Sequence, residues 1–439
     1  MRALMLAPLT LLPLLHAVPA AAQENPARAV IDKAIRAQGG LDTLVKAGAG
    51  SRKLKGVFTS DHYHFVGESY SDDGNRLKIT LRGTDSAGEV RSLVMVGSKG
   101  WSSFNGSVFE FDDKQQKRMR RASYADKVAG LTALVREQGF TLSAIGDSTV
   151  ADSAVVGVKV QYAGMPDMDL FFDKTTGFLV KTRYSVLDAD TDQEVMQEVY
   201  YSKFDLFDPA AEPLRILQET RIDTTGPGLL TWLSGRIPDK EERSKIQVQV
   251  AELGRTSFAA RQKASAALQK FGPKAAAYVR AALKSDDPEV VRRAEQLQDQ
   301  LQQSKEPALA TAVVRLLAVR RPAGTTTALL AYYPWACDEG TAREVLFALA
   351  SLVELEPKVR PVLEAALQDV DAKARDAAAK VLGKDGDAFL KEPGRRLVLE
   401  GIRFARVARI FRGGRLHFEI ETFDHEFFNR LGDSLFVRP

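Results

Sequence analysis

A helix pair with both ends marked, recurring along the chain, constrains the fold more than any other feature. Residues 253–301 read LGRTSFAARQKASAALQKFGPKAAAYVRAALKSDDPEVVRRAEQLQDQL. Phe258, Arg261, Ala264 and Leu268 recur at three- or four-residue steps, the spacing of one helix face. Gly272 is a C-terminal stop, Pro273 opens the next helix, and Tyr278, Ala281, Ala282 and Leu283 continue the apolar stripe. Asp287 then supplies an N-cap, Pro288 a first helical residue and Glu289 an acid that favours the helix dipole. Residues 281–297 align without gaps on 365–381. Ala281, Ala282, Leu283, Asp287 and Ala294 meet Ala365, Ala366, Leu367, Asp371 and Ala378, a step of 84 residues. That step is two units of about 42 residues.

Paired helices at this period belong to the HEAT/armadillo class, and the segment 208–392 resembles a short HEAT-repeat array. Its weakest units fall at 307–320 and 325–333, so the register between 305 and 345 stays open. An array of this kind needs a cap over its last apolar face. The tail from 393 to 439 leaves the helical pattern. Arg396–Glu400, and 405–412 and 415–420 around Gly413-Gly414, read as strands, followed by Phe427, Phe428, Leu431, Leu435 and Phe436. We expect a small β-rich C-terminal cap.

Before the array the hydrophobic period is different. Asn25-Pro26 opens a helix whose apolar face is Val30, Ile31, Ala34 and Ile35, and Gly39-Gly40 ends it. From 53 to about 111 the period is two, with Leu77, Ile79 and Leu81 alternating against Arg76, Lys78 and Arg82. Trp101 to Phe111 reads as a hairpin about Asn105-Gly106, because both central residues of that turn need positive φ. A charged helix is expected from Asp112 to about Gln138. Strands return at Val155–Tyr162, at Met168, Leu170 and Phe172, then at 178–186 and 195–204, with Gly177 closing a tight loop after Asp173. Asp208-Pro209 to Pro213 marks the boundary with the helical segment. The whole is α+β: an antiparallel sheet with helices over 23–207, a helical array over 208–392, and the tail.

Four stretches carry a second resemblance, in this order: AVIDKAIRAQGGLDTL, VGSKGWSSFNG, MDLFFDKTTGFLVKTRY and QEVYYSKFDLFD. They are similar to the LolA/LolB-like periplasmic lipoprotein-carrier superfamily. That resemblance implies a curved antiparallel sheet, or half-barrel, whose concave face takes lipid acyl chains under helices. It makes Trp101, Phe104, Phe109, Phe111, Leu170 and Phe172 candidate pocket residues, although the same residues would serve equally as core. The run Lys114, Lys117, Arg118, Arg120, Arg121 is a solvated helix face or a contact for anionic headgroups or an acidic partner, with Lys117, Arg118 and Arg121 placed near the pocket mouth.

Residues 1–22 read as a secretory leader: Arg2, an apolar run from Ala3 to Leu15, and small residues at Ala20 and Ala22. The run is too short to span a membrane, and no later stretch reaches the ~18 apolar residues a span needs. We therefore expect an exported protein, periplasmic or extracellular, with no transmembrane segment. The net charge of +4 on 439 residues gives no pull towards nucleic acid. Cys337 is the only cysteine, so no intrachain disulfide can form, and with no histidine adjacent it reads as a small apolar filler. His62 and His64 share a strand face, but two imidazoles do not make a zinc site. No G-x-S-x-G, P-loop or H-E-x-x-H is present. The expectation is a non-enzymatic binding protein without metal or cofactor, holding a lipid or other apolar ligand and docking a protein on its helices. The alternative is a scaffold with no ligand cavity.

Overall fold

The computed structural model describes residues 25–58, 63–72, 76–84, 89–188, 191–383, 389 and 394–439. The expected leader and His62 lie outside the described residues.

The chain opens with α1 (Pro26–Ala37) and the short α2 (Leu41–Lys46). The Asn25 side chain accepts from Ala27 N–H at 3.0 Å, the expected cap. Six strands follow: β1 (Ala49–Phe58), β2 (Tyr63–Asp72), β3 (Arg76–Gly83), β4 (Val90–Val96), β5 (Lys99–Phe104) and β6 (Ser107–Glu110). Asn105 and Gly106 both take positive φ between β5 and β6, as the turn chemistry demands. Helix α3 (Asp113–Ala129) begins in a capping box between Asp112 and Gln115, and the short α4 (Ala133–Arg136) follows Gly130. Five more strands complete the first half: β7 (Thr141–Val150), β8 (Ser153–Gln161), β9 (Met168–Asp173), β10 (Leu179–Leu187) and β11 (Glu194–Leu206).

The helical segment holds α5 (Ala211–Glu219), α6 (Gly226–Ser234), α7 (Lys240–Glu252), α8 (Phe258–Phe271), α9 (Ala276–Ala282), α10 (Pro288–Gln303), α11 (Glu306–Arg320), α12 (Thr325–Tyr332), α13 (Glu339–Leu355), α14 (Val359–Ala366) and α15 (Ala372–Val381). Strands β12 (Arg403–Arg412) and β13 (Arg415–Phe428) end the chain.

These last two strands correct the expected cap. Among the described residues, 13 strands form one antiparallel sheet in the order β6-β5-β4-β3-β2-β1-β13-β12-β11-β10-β9-β8-β7. The tail hairpin lies in the middle of it, β13 pairing with β1 and β12 with β11. It does not cover the helices, because its backbone groups are used by strands of the first half. Gln197 on β11 strengthens the seam: it donates to the Tyr184 hydroxyl at 2.7 Å and accepts from Arg412 at 2.8 Å. The helical segment is therefore an insertion between β11 and β12. Its two ends meet where Phe207 N–H donates to Ile402 O at 2.8 Å.

The sheet curls around α3 without closing. β4 and β8 are nine places apart in the strand order, ~43 Å on a flat sheet at the usual spacing. Yet Ser123 touches Met95 of β4 at 3.8 Å, while the next residue, Tyr124, lies 6.2 Å ring to ring from Tyr162 at the end of β8. Only a curved sheet brings both to one turn of helix. The edges β6 and β7 stay unpaired, so this is no closed barrel.

The helical segment carries the units legible in its sequence. Asp287 and Asp371 cap α10 and α15 through Glu289 N–H and Lys373 N–H, at 2.9 and 2.8 Å. Glu289 gathers Arg261, Arg292 and Arg293, and the hydrogen bonds from Arg292 and then Arg293 hold its carboxyl down at about 2. The units do not stack in one dimension, however. Helix α11 packs against α5, α6, α10, α12 and α13, and buries residues on every side. It is the axis of a bundle core, whereas a HEAT-type stack gives each unit only neighbours in sequence.

One buried charge in the sheet makes a testable prediction. Asp169 on β9 is 8% exposed, 2.9 Å from Lys159 and 2.7 Å from Arg183. Burial raises its pKa, but hydrogen bonds from Arg183 and Lys159 more than offset this, and the net shift is downward. A carboxylate with a lowered folded-state pKa stabilises the protein above its unfolded pKa of about 3.9, and that stability is lost as pH falls through the folded value. Asp169→Asn should cost roughly 1–2 kcal/mol at pH 7, the lower end because both cations are partly solvated. In urea unfolding from pH 7 to pH 2, the gap from wild type should shrink in acid.

Candidate ligand site on the concave face

Strand register decides which candidate side chains share a surface. Leu77, Ile79 and Leu81 of β3 oppose Met95, Leu93 and Arg91 of β4. Those in turn oppose Gly100, Ser102 and Phe104 of β5, and Ser102 opposes Phe109. Paired residues point to one face, and Met95 turns towards α3. Leu77, Ile79, Leu81, Leu93, Phe104 and Phe109 therefore line the concave face of the β2–β6 half. The four aliphatic residues are half-buried, while Phe104 and Phe109 are 46% and 58% exposed. This is a mainly apolar trough, with Arg91 on the same face, 5.4 Å from the Phe104 ring.

At its inner end the trough meets an aperture beside α3, a cavity of about 210 Å³. Met95, Phe111, Met119, Phe140, Tyr162 and Met165 form its apolar wall. Phe111 is pinned by its N–H to Gly100 O at 2.9 Å, and its ring occupies the place of a Gly100 side chain: a Cβ there would lie 2.0 Å from the ring. Lys99, Arg120 and Lys127 stand at the rim, Lys127 paired with Glu137 at 2.6 Å. Tyr124 is buried in this wall, and its hydroxyl has no hydrogen-bond partner among the described residues. Burial, with Asp167 and Tyr162 adding, pushes its phenol up to about 12, so at neutral pH it is a donor in want of an acceptor.

The structure disperses the other candidates. Leu170 and Phe172, with Met168, are buried beneath α1 and α3, against Ile31, Ala34, Tyr124 and Val128. They are core, because α1 and α3 fill the β7–β12 half of the concave face. Trp101 points to the opposite face, where it packs with Val94, Tyr70, Leu431 and Phe436 under the C-terminal residues. Of the basic run, Arg118 meets Asp192 at 3.0 Å, Arg121 meets Glu194 at 2.8 Å and Lys114 meets Asp192 at 2.5 Å. These pairs fasten α3 to the β10–β11 turn, so Arg118 and Arg121 already hold acidic partners within the chain, while Lys117 is exposed. Tyr124 and Met119 line the aperture and were not among the expected site residues, whereas Arg120 of the basic run does stand there. The available signal was Tyr124, with Ala125 and Val128 the apolar stripe of an otherwise charged helix.

Cys337 is buried beside Ala276 and Ala310, and burial pushes its thiol up to about 11, away from nucleophilic use. Among the described residues no three His, Cys, Asp or Glu side chains are grouped as metal ligands, and no helix is long and apolar enough to cross a membrane.

No family model matches the chain, and no curated protein matches it. Among solved structures it is similar to a LolA superfamily protein from Nitrosomonas europaea, at 10% identity and TM-score 0.27, covering 41% of this chain and 78% of that one. It is similar to a DUF1329 family protein from Desulfovibrio piger, at 12% identity and TM-score 0.28, covering 42% and 82%. A putative outer membrane lipoprotein-sorting protein domain from Vibrio parahaemolyticus is similar at 9% identity and TM-score 0.27, covering 40% and 80%. At these values no ligand or role passes from those proteins to this chain, and a HEAT-type array gains no support.

Proposed function

We propose that this is a non-enzymatic, exported binding protein that takes an amphiphile, its apolar tail in the trough and its polar head at the aperture. The orphan hydroxyl of Tyr124 carries the reading. A buried donor without an acceptor costs roughly 1–3 kcal/mol, and a carboxylate, phosphate or carbonyl oxygen of a ligand would relieve that cost. The cationic rim favours an anionic head. The run of half-exposed Leu77, Ile79, Leu81 and Leu93 suits an alkyl chain, at ~0.8 kcal/mol for each methylene it covers. Export rests on the leader pattern from Arg2 to Ala22.

Titration with a fluorescent fatty acid tests this. Wild type should bind it, and added salt should weaken binding because the rim is exposed. Tyr124→Phe should weaken binding roughly tenfold, the scale of a hydrogen bond to a charged group, without loss of stability. Ile79→Glu should abolish binding. No uptake by the wild type would favour the scaffold reading, which draws its support from the α1 and α3 side chains that already fill half of the concave face.

A further inference from the structure

Five methionines follow the expected leader: Met95, Met119, Met165, Met168 and Met196. Three of them, Met95, Met119 and Met165, line the aperture of about 210 Å³ beside α3. They reach it from β4, from α3 and from the turn between β8 and β9, so no helix or strand period groups them. Their surroundings differ. Met95 is buried and its sulfur accepts from the Ser123 hydroxyl at 3.8 Å, whereas Met119 and Met165 are half-buried with the cavity in front of them. Met168 is fully buried in the core beneath α1 and α3, and Met196 is half-exposed on β11, outside the aperture wall. Cys337, the one thiol of the chain, is buried among helices and held protonated, so thioethers are the sulfurs that a dissolved oxidant reaches.

We propose that Met119 and Met165 are modification sites, where a two-electron oxidant of the peroxide class makes sulfoxides and thereby closes the aperture to amphiphiles. In that step an S–O bond forms and the O–O bond of the peroxide breaks. Sulfur gives up two electrons, and the second peroxide oxygen leaves as water with the proton of the transferred hydroxyl. A flexible apolar side chain becomes a polar, chiral one. The added oxygen takes room from a small cavity and removes apolar lining where the tail enters. It also puts a strong acceptor into the wall that holds the Tyr124 hydroxyl, a donor without one among the described residues. The ligand head then competes with the protein's own oxygen for that donor. The closure rests on the amphiphile reading, whereas the oxidation of the two side chains does not.

Mass mapping of the full chain after hydrogen peroxide, read beside titration with a fluorescent fatty acid, tests this. Met119 and Met165 should each gain one oxygen, as should the exposed Met196, while Met168 should gain none and so report an intact core. Uptake of fatty acid should weaken at least about tenfold. Repair by the pair of methionine sulfoxide reductases, one for each epimer, should restore it. Met196→Leu should lose uptake on oxidation as wild type does. In a protein carrying Met119→Leu and Met165→Leu, whatever its starting affinity, peroxide should leave that affinity unchanged. The proposal is overturned if Met119 and Met165 stay reduced while Met196 is oxidised, or if uptake persists with both sulfoxides formed. It is equally overturned if uptake falls only when Met168 is oxidised too, or if the double variant still loses uptake to peroxide. Absence of uptake before any oxidant is added sinks the amphiphile reading and the closure with it, an outcome distinct from all of these.

Discussion

A chain ended after Leu382 should fail to form the sheet, although it keeps eleven of the 13 strands. Among the described residues the removed hairpin is what joins β1 to β11 in the sheet. Its register runs from Ala49 with Phe428 to Phe58 with Phe418 on one side, and from Gln197 with Arg412 to Leu206 with Arg403 on the other. Without it, β1 and β11 become long bare edges, each a template for aggregation. Leu431 and Phe436 leave the opposite face at the same time, uncovering Val94 and Trp101. We expect insoluble protein, or a soluble form with no cooperative melt by circular dichroism. A milder variant reads the same seam: Val407 on β12 is buried, and Val407→Asp should cost several kcal/mol. A truncated protein that keeps the strand signal and melting temperature of the full chain would restore the tail to a cap on the helices.

Alternation marks a strand and its faces, but leaves no trace of the strand it pairs with. Here the partner β1 lies at the other end of the chain. Features fixed by neighbouring residues were legible for the same reason: the turn at Asn105-Gly106, the caps Asn25, Asp287 and Asp371, and the common face of Met168, Leu170 and Phe172. What covers that face was not legible, since α1 and α3 decide it. Strand β7 leaves little mark in the sequence because it is a largely exposed edge with little apolar alternation. The charged run on α3 was legible as a helix, but Asp192 and Glu194, its acids, lie some seventy residues on. Residues 306–320 did carry a signal that argues against a uniform array. A stretch such as LATAVVRLLAV is apolar all round, the mark of a helix enclosed by others. At the site, Phe104, Phe109 and Phe111 follow from alternation, whereas the orphan state of Tyr124 exists only in three dimensions.

Leu317 lies at the centre of that enclosed helix with no exposed surface, packed in the cluster that α5, α6, α11, α12 and α13 share. Leu317→Asp places an unpaired carboxylate there. Burial of such a charge costs several kcal/mol, added to the lost leucine packing, against a total domain stability of roughly 5–15 kcal/mol. The helical segment should lose most of its helicity. The sheet should survive, because the insertion leaves and rejoins it at one point, where Phe207 N–H meets Ile402 O. An unfolded insertion then acts as a long loop between β11 and β12, and closing a loop costs only slowly more as it lengthens. Limited proteolysis should cut within 211–381 and leave two pieces, one carrying β1–β11 and the other β12–β13, that migrate together in gel filtration until denatured. Their co-migration distinguishes an inserted bundle from a bundle appended to a finished domain, for which the N-terminal piece would persist alone. The same nicked complex should still take up fatty acid at the Tyr124 aperture. If the strand signal melts together with the helices, the two cores form one cooperative unit, and the ion pairs of Arg396 with Glu212, Arg395 with Glu354 and Arg321 with Glu400 are among the contacts that couple them.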